Sequence, residues 1–145
     1  MKLHKVISGG QTGADRAGLE CAKELGLETG GTAPSNYYTE DGPDISLKDF
    51  GLVTGGDYRS RTRQNVYDAD ATLWFGNTSS PGYKCTAGAA KDFGRPFFVN
   101  AGVSTLYHIA TEFKVINIAG NRASKNPRVM DLVREAFASL KEYID

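Results

Sequence analysis

Short apolar runs alternate with stretches of helical periodicity along most of this 145-residue chain. The first apolar run surrounds Val6, and the others predict strands over residues 28–32, 71–75, 96–99 and 114–119. Helical patterns predict helices over residues 14–25, 58–68, 83–93, 104–112 and 126–144. This alternation indicates a mainly parallel sheet covered by helices on both faces. We therefore predict one α/β domain over residues 1–145, a length sufficient for a proper core.

The segment 33–57 has no clear period and contains several turn signals, among them Asp41-Gly42-Pro43 and Gly55-Gly56-Asp57. We predict that it is long and irregular. Long loops in compact domains are usually functional or mobile. Ligands of open α/β sheets bind beyond the carboxyl ends of the strands, and we expect this segment near that edge.

A glycine-rich loop follows the first strand and contains Gly9, Gly10 and Gly13. Glycine lets the backbone approach a ligand closely, and the N–H groups at the start of the next helix attract anions. Thr12 and Asp15 have the spacing of a helix-capping box. A tight structural turn would also explain the glycines, but the strand–loop–helix context favours a phosphate or nucleotide. A side chain at Gly10 is then expected to occupy the phosphate position.

Two further loops follow predicted strands and are expected at the same edge of the sheet. Residues 76–86 offer hydroxyls, backbone donors and a helix start, which suit a second phosphate or a ribose; a solvated loop is the alternative. Arg122 in residues 120–126 favours an anion, unless it only covers a helix end. On the helix 58–68, Arg61 shares a face with Asn65 and Arg59 does not, so Arg61 is expected to face the site.

Composition excludes several classes of partner. The chain has 17 basic and 17 acidic residues, so its formal net charge is zero and no nucleic-acid partner is expected. No apolar run reaches membrane-spanning length, and Met1-Lys2-Leu3-His4 leads into a strand rather than a signal peptide. We therefore expect no membrane partner and a cytoplasmic location. Cys21 and Cys85 fall in predicted helices as packed thiols, and two separated histidines predict no metal site.

Six motifs in a fixed order span nearly the whole chain. They are residues 7–15 (ISGGQTGAD), 30–34 (GGTAP), 39–42 (TEDG), 58–66 (YRSRTRQNV), 68–73 (DADATL) and 119–124 (AGNRAS). In this order they resemble the molybdenum cofactor carrier family, which belongs to the SLOG group together with the lonely-guy phosphoribohydrolases and sensors of nucleotide-derived signals. The resemblance implies a Rossmann-like three-layer sandwich, a homo-oligomer (dimer or tetramer), and a pocket for a phosphorylated ligand of nucleotide or pterin type.

The chain departs from that family at several expected pocket positions. Thr32 and Gln64 stand where the family tends to have tryptophan, and Asn121 where it tends to have proline. Tyrosines at positions 37, 38 and 83 could stack on a base, and Lys84 could supply positive charge. The lonely-guy pattern of a glycine-rich loop followed by a catalytic glutamate is not reproduced, because residues 83–90 contain no glutamate.

We therefore predict that the protein binds a phosphorylated nucleotide-like molecule without turnover. It would be a carrier or a sequestering protein, for example for an ADP-ribose-like or cyclic-nucleotide immune signal. The alternatives are carriage of the molybdenum cofactor, and a nucleotide N-glycosidase or phosphoribohydrolase that uses Glu40 or Asp41 as acid or base. No catalytic or metal-binding residue is assigned. The expected binding residues are Gly9, Gly10, Gln11, Thr12, Gly13, Glu40, Arg61, Asn65, Ser80, Pro81, Gly82, Tyr83, Lys84, Thr86, Asn121, Arg122 and Ser124.

Overall fold

A parallel six-stranded sheet forms the centre of the computed structural model, which describes residues 1–143. The strands are β1 (Lys5–Ile7), β2 (Glu28–Ala33), β3 (Tyr38–Thr39), β4 (Gly42–Pro43), β5 (Leu52–Thr54), β6 (Ala71–Phe75), β7 (Phe97–Val99) and β8 (Val115–Gly120). Six of them pair in the order β5-β2-β1-β8-β6-β7, and every pairing in this sheet is parallel. Strands β3 and β4 form a separate antiparallel hairpin.

Helices cover both faces of the sheet. They are α1 (Ala14–Glu24), α2 (Ser46–Asp49), α3 (Tyr58–Asp68), α4 (Pro81–Phe93), α5 (Val103–Glu112) and α6 (Val129–Phe137). Helix α6 packs against α1 and α5, whereas α3 packs against α4. The crossovers from β1 to β2 and from β6 to β7 run in opposite directions along the sheet, and right-handed crossovers then place α1 and α4 on opposite faces. The predicted three-layer α/β architecture is confirmed.

The largest part of the core lies between the sheet and the layer of α1, α5 and α6. Its fully buried side chains include Val6, Leu73, Ile116 and Val133. A smaller cluster beneath α3 and α4 contains Val66. No helix within residues 1–143 is long and apolar enough to cross a membrane.

The segment 33–57 is more regular than predicted. It contains the β3–β4 hairpin, helix α2 and strand β5, which pairs with β2 at the edge of the sheet. Leu47, Phe50 and Leu52 from this segment pack with Leu19 and Ala33 into a second core cluster. The apolar residues of this segment are scattered among many turn residues in runs too short to predict these elements, and the prediction of an irregular segment is wrong.

One predicted helix cap and one predicted helix start are also wrong. The capping residue of α1 is Gly13, with a φ of 86° and no side-chain cap, whereas Thr12 donates its hydroxyl hydrogen to Glu40. Helix α6 begins at Val129 rather than near position 126, because the side-chain oxygen of Asn126 accepts from the Arg128 N–H in a preceding turn. The predicted helical position Ile144 lies outside the described residues.

Candidate ligand-binding site

A cavity of about 920 Å³ opens beyond the carboxyl ends of the central strands. Because β8 lies between β1 and β6, the loops that follow these three strands are neighbours, as the sequence predicts. The β3–β4 hairpin and one face of α3 complete the cavity wall. Its volume falls within the range of about 300–1,000 Å³ that is usual for small-molecule sites.

The structure brings most of the predicted site residues to this cavity. The lining residues among them are Gly9, Gln11, Glu40, Arg61, Asn65, Ser80, Pro81, Gly82, Thr86, Asn121 and Arg122. Gly10, Thr12 and Gly13 line a neighbouring cavity of about 290 Å³ instead. Tyr83, Lys84 and Ser124 line neither cavity.

These last three side chains have other surroundings. The Tyr83 ring packs against Trp74 and Phe97, with ring centroids 5.4 and 5.8 Å apart, so stacking on a base in the cavity is not supported for it. Lys84 is exposed outside the cavity wall, which removes the reason to expect it as a source of charge there. Ser124 hydrogen-bonds Glu40.

The glycine-rich loop after β1 uses its own side chains to satisfy its backbone. The Gly10 N–H donates to Ser8 Oγ at 3.3 Å, the Gln11 N–H to Asp15 Oδ2 at 3.2 Å, and the Thr12 N–H to Gln11 Oε1 at 3.0 Å. These are donors that the sequence pattern assigned to a phosphate. The Asp15 carboxyl therefore occupies the place expected for an anion.

Gly10 points away from the main cavity. A Cβ at this position would lie 2.8 Å from Leu47 Cδ1 and 2.9 Å from Leu52 Cδ2, and the φ of Gly10 is 78°. The expectation that a side chain at Gly10 would occupy the phosphate position is wrong. A substitution there would disturb the second core cluster, because it faces the side chains of α2 and β5.

Burial raises the pKa of the Asp15 carboxyl to about 7. Hydrogen bonds from the Gln11 and Gly9 backbone and the positive charge of Arg122 oppose this shift without cancelling it. Asp15 therefore exists in both its neutral and its ionised form near neutral pH. No histidine lines the cavity within the described residues.

Asp15→Asn is expected to raise the melting temperature most at high pH. Asp15 has an ordinary pKa of about 3.9 in the unfolded chain, so between that value and about 7 the folded state binds more protons than the unfolded state. Asp15 thus lowers stability as pH rises through this window, and asparagine removes the effect. Thermal melts from about pH 4 to about pH 8 measure it. The raised pKa of Asp15 would be contradicted if the melting-temperature difference between Asp15→Asn and the wild type stayed constant with pH. It would also be contradicted if Asp41→Asn, at an exposed position, changed the melting temperature equally.

Glu40 connects the β3–β4 hairpin to two of the cavity loops. Its carboxylate accepts hydrogen bonds from the Thr12 and Ser124 hydroxyls and from the Ser124 N–H, and its own N–H donates to Gln11 Oε1 at 2.9 Å. The hydroxyl hydrogen bonds hold the pKa of Glu40 below its usual range. Both carboxylate oxygens are therefore committed to the protein, which makes Glu40 a poor general acid or base. Asp41 is exposed and borders the smaller cavity.

Asn65 fixes helix α3 to strand β2. The Thr32 N–H donates to Asn65 Oδ1 at 2.8 Å, and Asn65 Nδ2 donates to Thr32 O at 3.1 Å. One turn earlier on the same helical face, Arg61 lines the cavity and donates to Gly56 O at 2.6 Å. Arg59 is exposed and does not line the cavity. The structure therefore places Arg61, and not Arg59, at the site.

Asn121 joins the three loops that surround the cavity. Its Oδ1 accepts from the Asn77 N–H at 2.6 Å and from Asn126 Nδ2 at 3.3 Å, and its backbone oxygen accepts from the Ala14 N–H at 3.2 Å. Asn121 is 7% exposed, so this amide mainly organises the loops.

Three cationic side chains at the cavity have no acidic partner among residues 1–143. Arg61, Arg122 and Lys125 line the cavity and form no ion pair within 4 Å. Among the arginines outside this cavity, Arg16 contacts Glu20 and Asp44, Arg63 contacts Asp92, and Arg134 contacts Asp131, whereas Arg59, Arg95 and Arg128 form no ion pair within the described residues. The cavity lining thus holds three cationic side chains against the two carboxyls of Asp15 and Glu40, and none of the three forms an ion pair within 4 Å.

Aromatic rings also line the cavity. Tyr38 and Tyr58 are 58% and 53% exposed, whereas Trp74 is buried and its indole N–H has no partner within the described residues. Tyr37 does not reach the cavity, because its hydroxyl donates to Leu52 O at 3.3 Å and its ring packs on the second core cluster.

Several lining residues were not among the predicted site residues. They include Asp15, Tyr58, Trp74, Asn77, Asn117 and Lys125. Two of them carried a usable signal: Asn117 interrupts an apolar strand, and Tyr58 lies three residues before Arg61 on one helical face. Trp74 in an apolar strand carried none.

Comparisons with known proteins agree with the fold and the motif order. A crystal structure from Syntrophus aciditrophicus, named "Putative molybdenum carrier protein", aligns with a TM-score of 0.81 and 28% identity over 94% of both chains. A Plasmodium falciparum E-1-hydroxy-2-methyl-but-2-enyl-4-diphosphate reductase aligns over 90% of this chain and 51% of its own, with a TM-score of 0.36 and 13% identity, too weak a likeness to carry an argument. A search of curated proteins finds no match. The circularly permutated YpsA SLOG family matches over residues 6–141, and this chain belongs to that family.

Proposed function

We propose that this protein binds a phosphorylated nucleotide-like or pterin-like small molecule in the main cavity and releases it unchanged. The observation that carries the proposal is the convergence of Arg61, Arg122 and Lys125, none of them in an ion pair within residues 1–143, on one cavity of about 920 Å³. Unpaired guanidinium groups favour phosphate, which they can bind through two parallel hydrogen bonds.

The phosphate is expected toward Arg122 and the start of α4 rather than in the glycine-rich loop. The Gly10, Gln11 and Thr12 N–H groups of this loop already donate to Ser8, Asp15 and Gln11 side chains, and the ionised form of the Asp15 carboxyl repels a phosphate. In the first turn of α4, Pro81 has no N–H and the Tyr83 N–H donates to Ser80 Oγ, so the Gly82 N–H remains as a donor. Strands β1 and β6 are separated by β8, so these two ends of the site are about 10 Å apart.

The exposed tyrosines at the cavity are suited to a planar ring. Tyr38 comes from the hairpin and Tyr58 from α3, so two different elements contribute aromatic side chains to the cavity wall. Stacking of this kind tolerates different heterocycles. The structural neighbour's name concerns molybdenum carriage, and the molybdenum cofactor is a phosphorylated pterin, so carriage of that cofactor is one version of this proposal.

Binding without turnover is favoured over an N-glycosidase by the state of Glu40. A general acid or base needs a free oxygen near the reacting bond, and both Glu40 oxygens accept hydrogen bonds from Thr12 or Ser124. Asp41, the other candidate, does not line the main cavity.

Tyr38→Ala is expected to weaken nucleotide binding by about 1–3 kcal/mol, the usual contribution of stacking between a base and an aromatic side chain. Equilibrium dialysis with AMP measures the loss. The control is Tyr67→Ala, because Tyr67 is similarly exposed, at 54%, but does not line the cavity. Equal affinities of the two variants would show that Tyr38 does not stack on the base.

The proposal is tested by identifying what the purified protein holds and whether it changes it. Native mass spectrometry before and after heat release should show a phosphorylated heterocycle bound to the protein. The same sample is then incubated with AMP, GMP and ADP-ribose, and the products are separated by liquid chromatography. Unchanged nucleotides support binding alone; a released base would establish the glycosidase instead. Absence of binding to any of these ligands and to phosphorylated pterins would refute the proposal.

A further inference from the structure

The proposed contacts to phosphate and ring leave one carboxyl in the cavity wall without a role. Asp15 lines the main cavity, and its Oδ2 accepts from the Gln11 N–H at 3.2 Å. No cationic group of residues 1–143 lies within 4 Å of it. A Cβ on Gly9 would be 3.0 Å from Asp15 Oδ2 and 3.7 Å from Asn65 Nδ2, so the backbone of Gly9 approaches this carboxyl closely.

A carboxyl in such surroundings is costly to ionise unless a partner supplies further N–H donors. Burial is the largest influence on Asp15 and raises its pKa to about 7. A ligand with N–H groups that face the carboxylate would provide the missing hydrogen bonds. Asp15 Oδ2 already accepts from the Gln11 N–H, but each carboxylate oxygen can accept more than one hydrogen bond, so two adjacent donors of a ligand can approach both oxygens.

We infer that Asp15 recognises the ligand's ring by accepting its N–H donors, so that the site selects a 2-amino-4-oxo heterocycle, such as guanine or a pterin, over adenine. The inference rests on the proposed function and adds the class of ring to it. The 2-amino-4-oxo edge presents a ring N–H beside an exocyclic amino group. Adenine presents an unprotonated ring nitrogen at the equivalent position, and an ionised carboxylate repels this acceptor.

Other charged and titratable groups face the cavity around Asp15. Arg122 comes from the loop after β8, Arg61 and Tyr58 from α3, Glu40 from the hairpin, and Lys125 from the segment before α6. On α1 itself, Arg16 and Glu20 form an ion pair at 3.0 Å. Burial raises the pKa of the Tyr58 hydroxyl, and the hydrogen bonds from Ser124 and Thr12 hold the pKa of Glu40 below its usual range, so neither group titrates near neutrality. A pH effect on ring selection near neutrality is therefore attributable to Asp15.

The experiment measures the affinities of GMP, IMP, AMP and neopterin monophosphate by equilibrium dialysis at about pH 6 and about pH 8. The ionised fraction of Asp15 rises about tenfold between these conditions. We expect GMP to bind about tenfold more tightly than AMP at the higher pH, with IMP between them because it lacks the amino group, and the preference to shrink at the lower pH. AMP carries the same phosphate as GMP, so the titration of the phosphate cancels in the ratio of the GMP affinity to the AMP affinity at each pH. The pterin arm shows whether guanine or pterin is preferred.

Asp15→Asn should abolish the GMP preference and its pH dependence while AMP affinity is retained. Asp41→Asn is the matched control, since Asp41 is exposed and borders only the smaller cavity, and it should keep both properties. Calorimetry of GMP binding in two buffers of different ionisation enthalpy should detect more proton release by the wild type than by Asp15→Asn, because the phosphate titrates alike in both proteins. Equal binding of AMP and GMP, or a GMP preference that survives in Asp15→Asn, would overturn the inference and leave the proposed function standing. Failure of all four ligands to bind would overturn both.

Discussion

Arg122→Ala is expected to weaken the binding of a nucleoside monophosphate by about 10- to 150-fold. This corresponds to the ~1.5–3 kcal/mol typical of a hydrogen bond to a charged group. Arg122 lines the cavity beside β8, has no ion-pair partner within residues 1–143, and its charge lowers the pKa of both Asp15 and Glu40. It is therefore the cation whose field covers most of the site. Isothermal titration calorimetry at fixed ionic strength measures the effect.

Two matched pairs separate a contact in the cavity from general surface charge. Arg128 is exposed six residues after Arg122 and lines neither cavity, so Arg128→Ala should leave affinity unchanged. On α3, Arg61→Ala should weaken binding and Arg59→Ala should not, because only Arg61 lines the cavity. Similar losses in all four variants would mean that binding depends on net charge alone and would refute the assignment of Arg122.

Gly31→Val is expected to prevent stable folding. Gly31 has a φ of 129°, and a Cβ on it would overlap the backbone oxygen of Ser8 and lie 2.8 Å from the Ser8 nitrogen. Backbone atoms in the sheet cannot move aside as a flexible side chain can. Backbone strain costs about 1–3 kcal/mol and overpacking adds about 1–3 kcal/mol more, a large share of a total stability of about 5–15 kcal/mol. Soluble yield and urea unfolding measure the loss.

Substitutions at two other glycines separate the contribution of backbone strain from that of side-chain overlap. Gly42 has a φ of 101° but nothing within 4 Å of its Cβ position, so Gly42→Ala should show only the strain. Gly88 lies inside α4 with open space around its Cβ position, and Gly88→Ala should stabilise the protein by up to about 1 kcal/mol through helix propensity. A Gly31→Val protein as stable as Gly42→Ala would show that β1 and β2 are not packed so closely at this point.

The candidate site was predictable from the sequence where it depends on topology. Loops after parallel strands end at one edge of the sheet, so the segments around Gly9, Ser80 and Arg122 were expected together, and they line one cavity. The helical period also predicted that Arg61, and not Arg59, faces the site. The directions of side chains within the loops were less predictable. Tyr83 belongs to a predicted site segment but packs on Trp74, whereas Tyr58 lines the cavity.

The sequence by itself determined the alternation of strands and helices, the parallel sheet and the edge at which its loops gather, because hydrophobic periodicity and chain order are local properties. Only the tertiary structure decided the partners of the polar groups. The spacing of Thr12 and Asp15 fits a local cap, but Thr12 donates to Glu40, 28 residues away, and Asp15 accepts from the Gln11 N–H. A hydroxyl or carboxylate can satisfy either a near or a distant partner, and burial and packing select between them. Burial and packing also place the Asp15 carboxyl against the Gln11 N–H of the glycine-rich loop. They leave Arg61, Arg122 and Lys125 without ion-pair partners among residues 1–143.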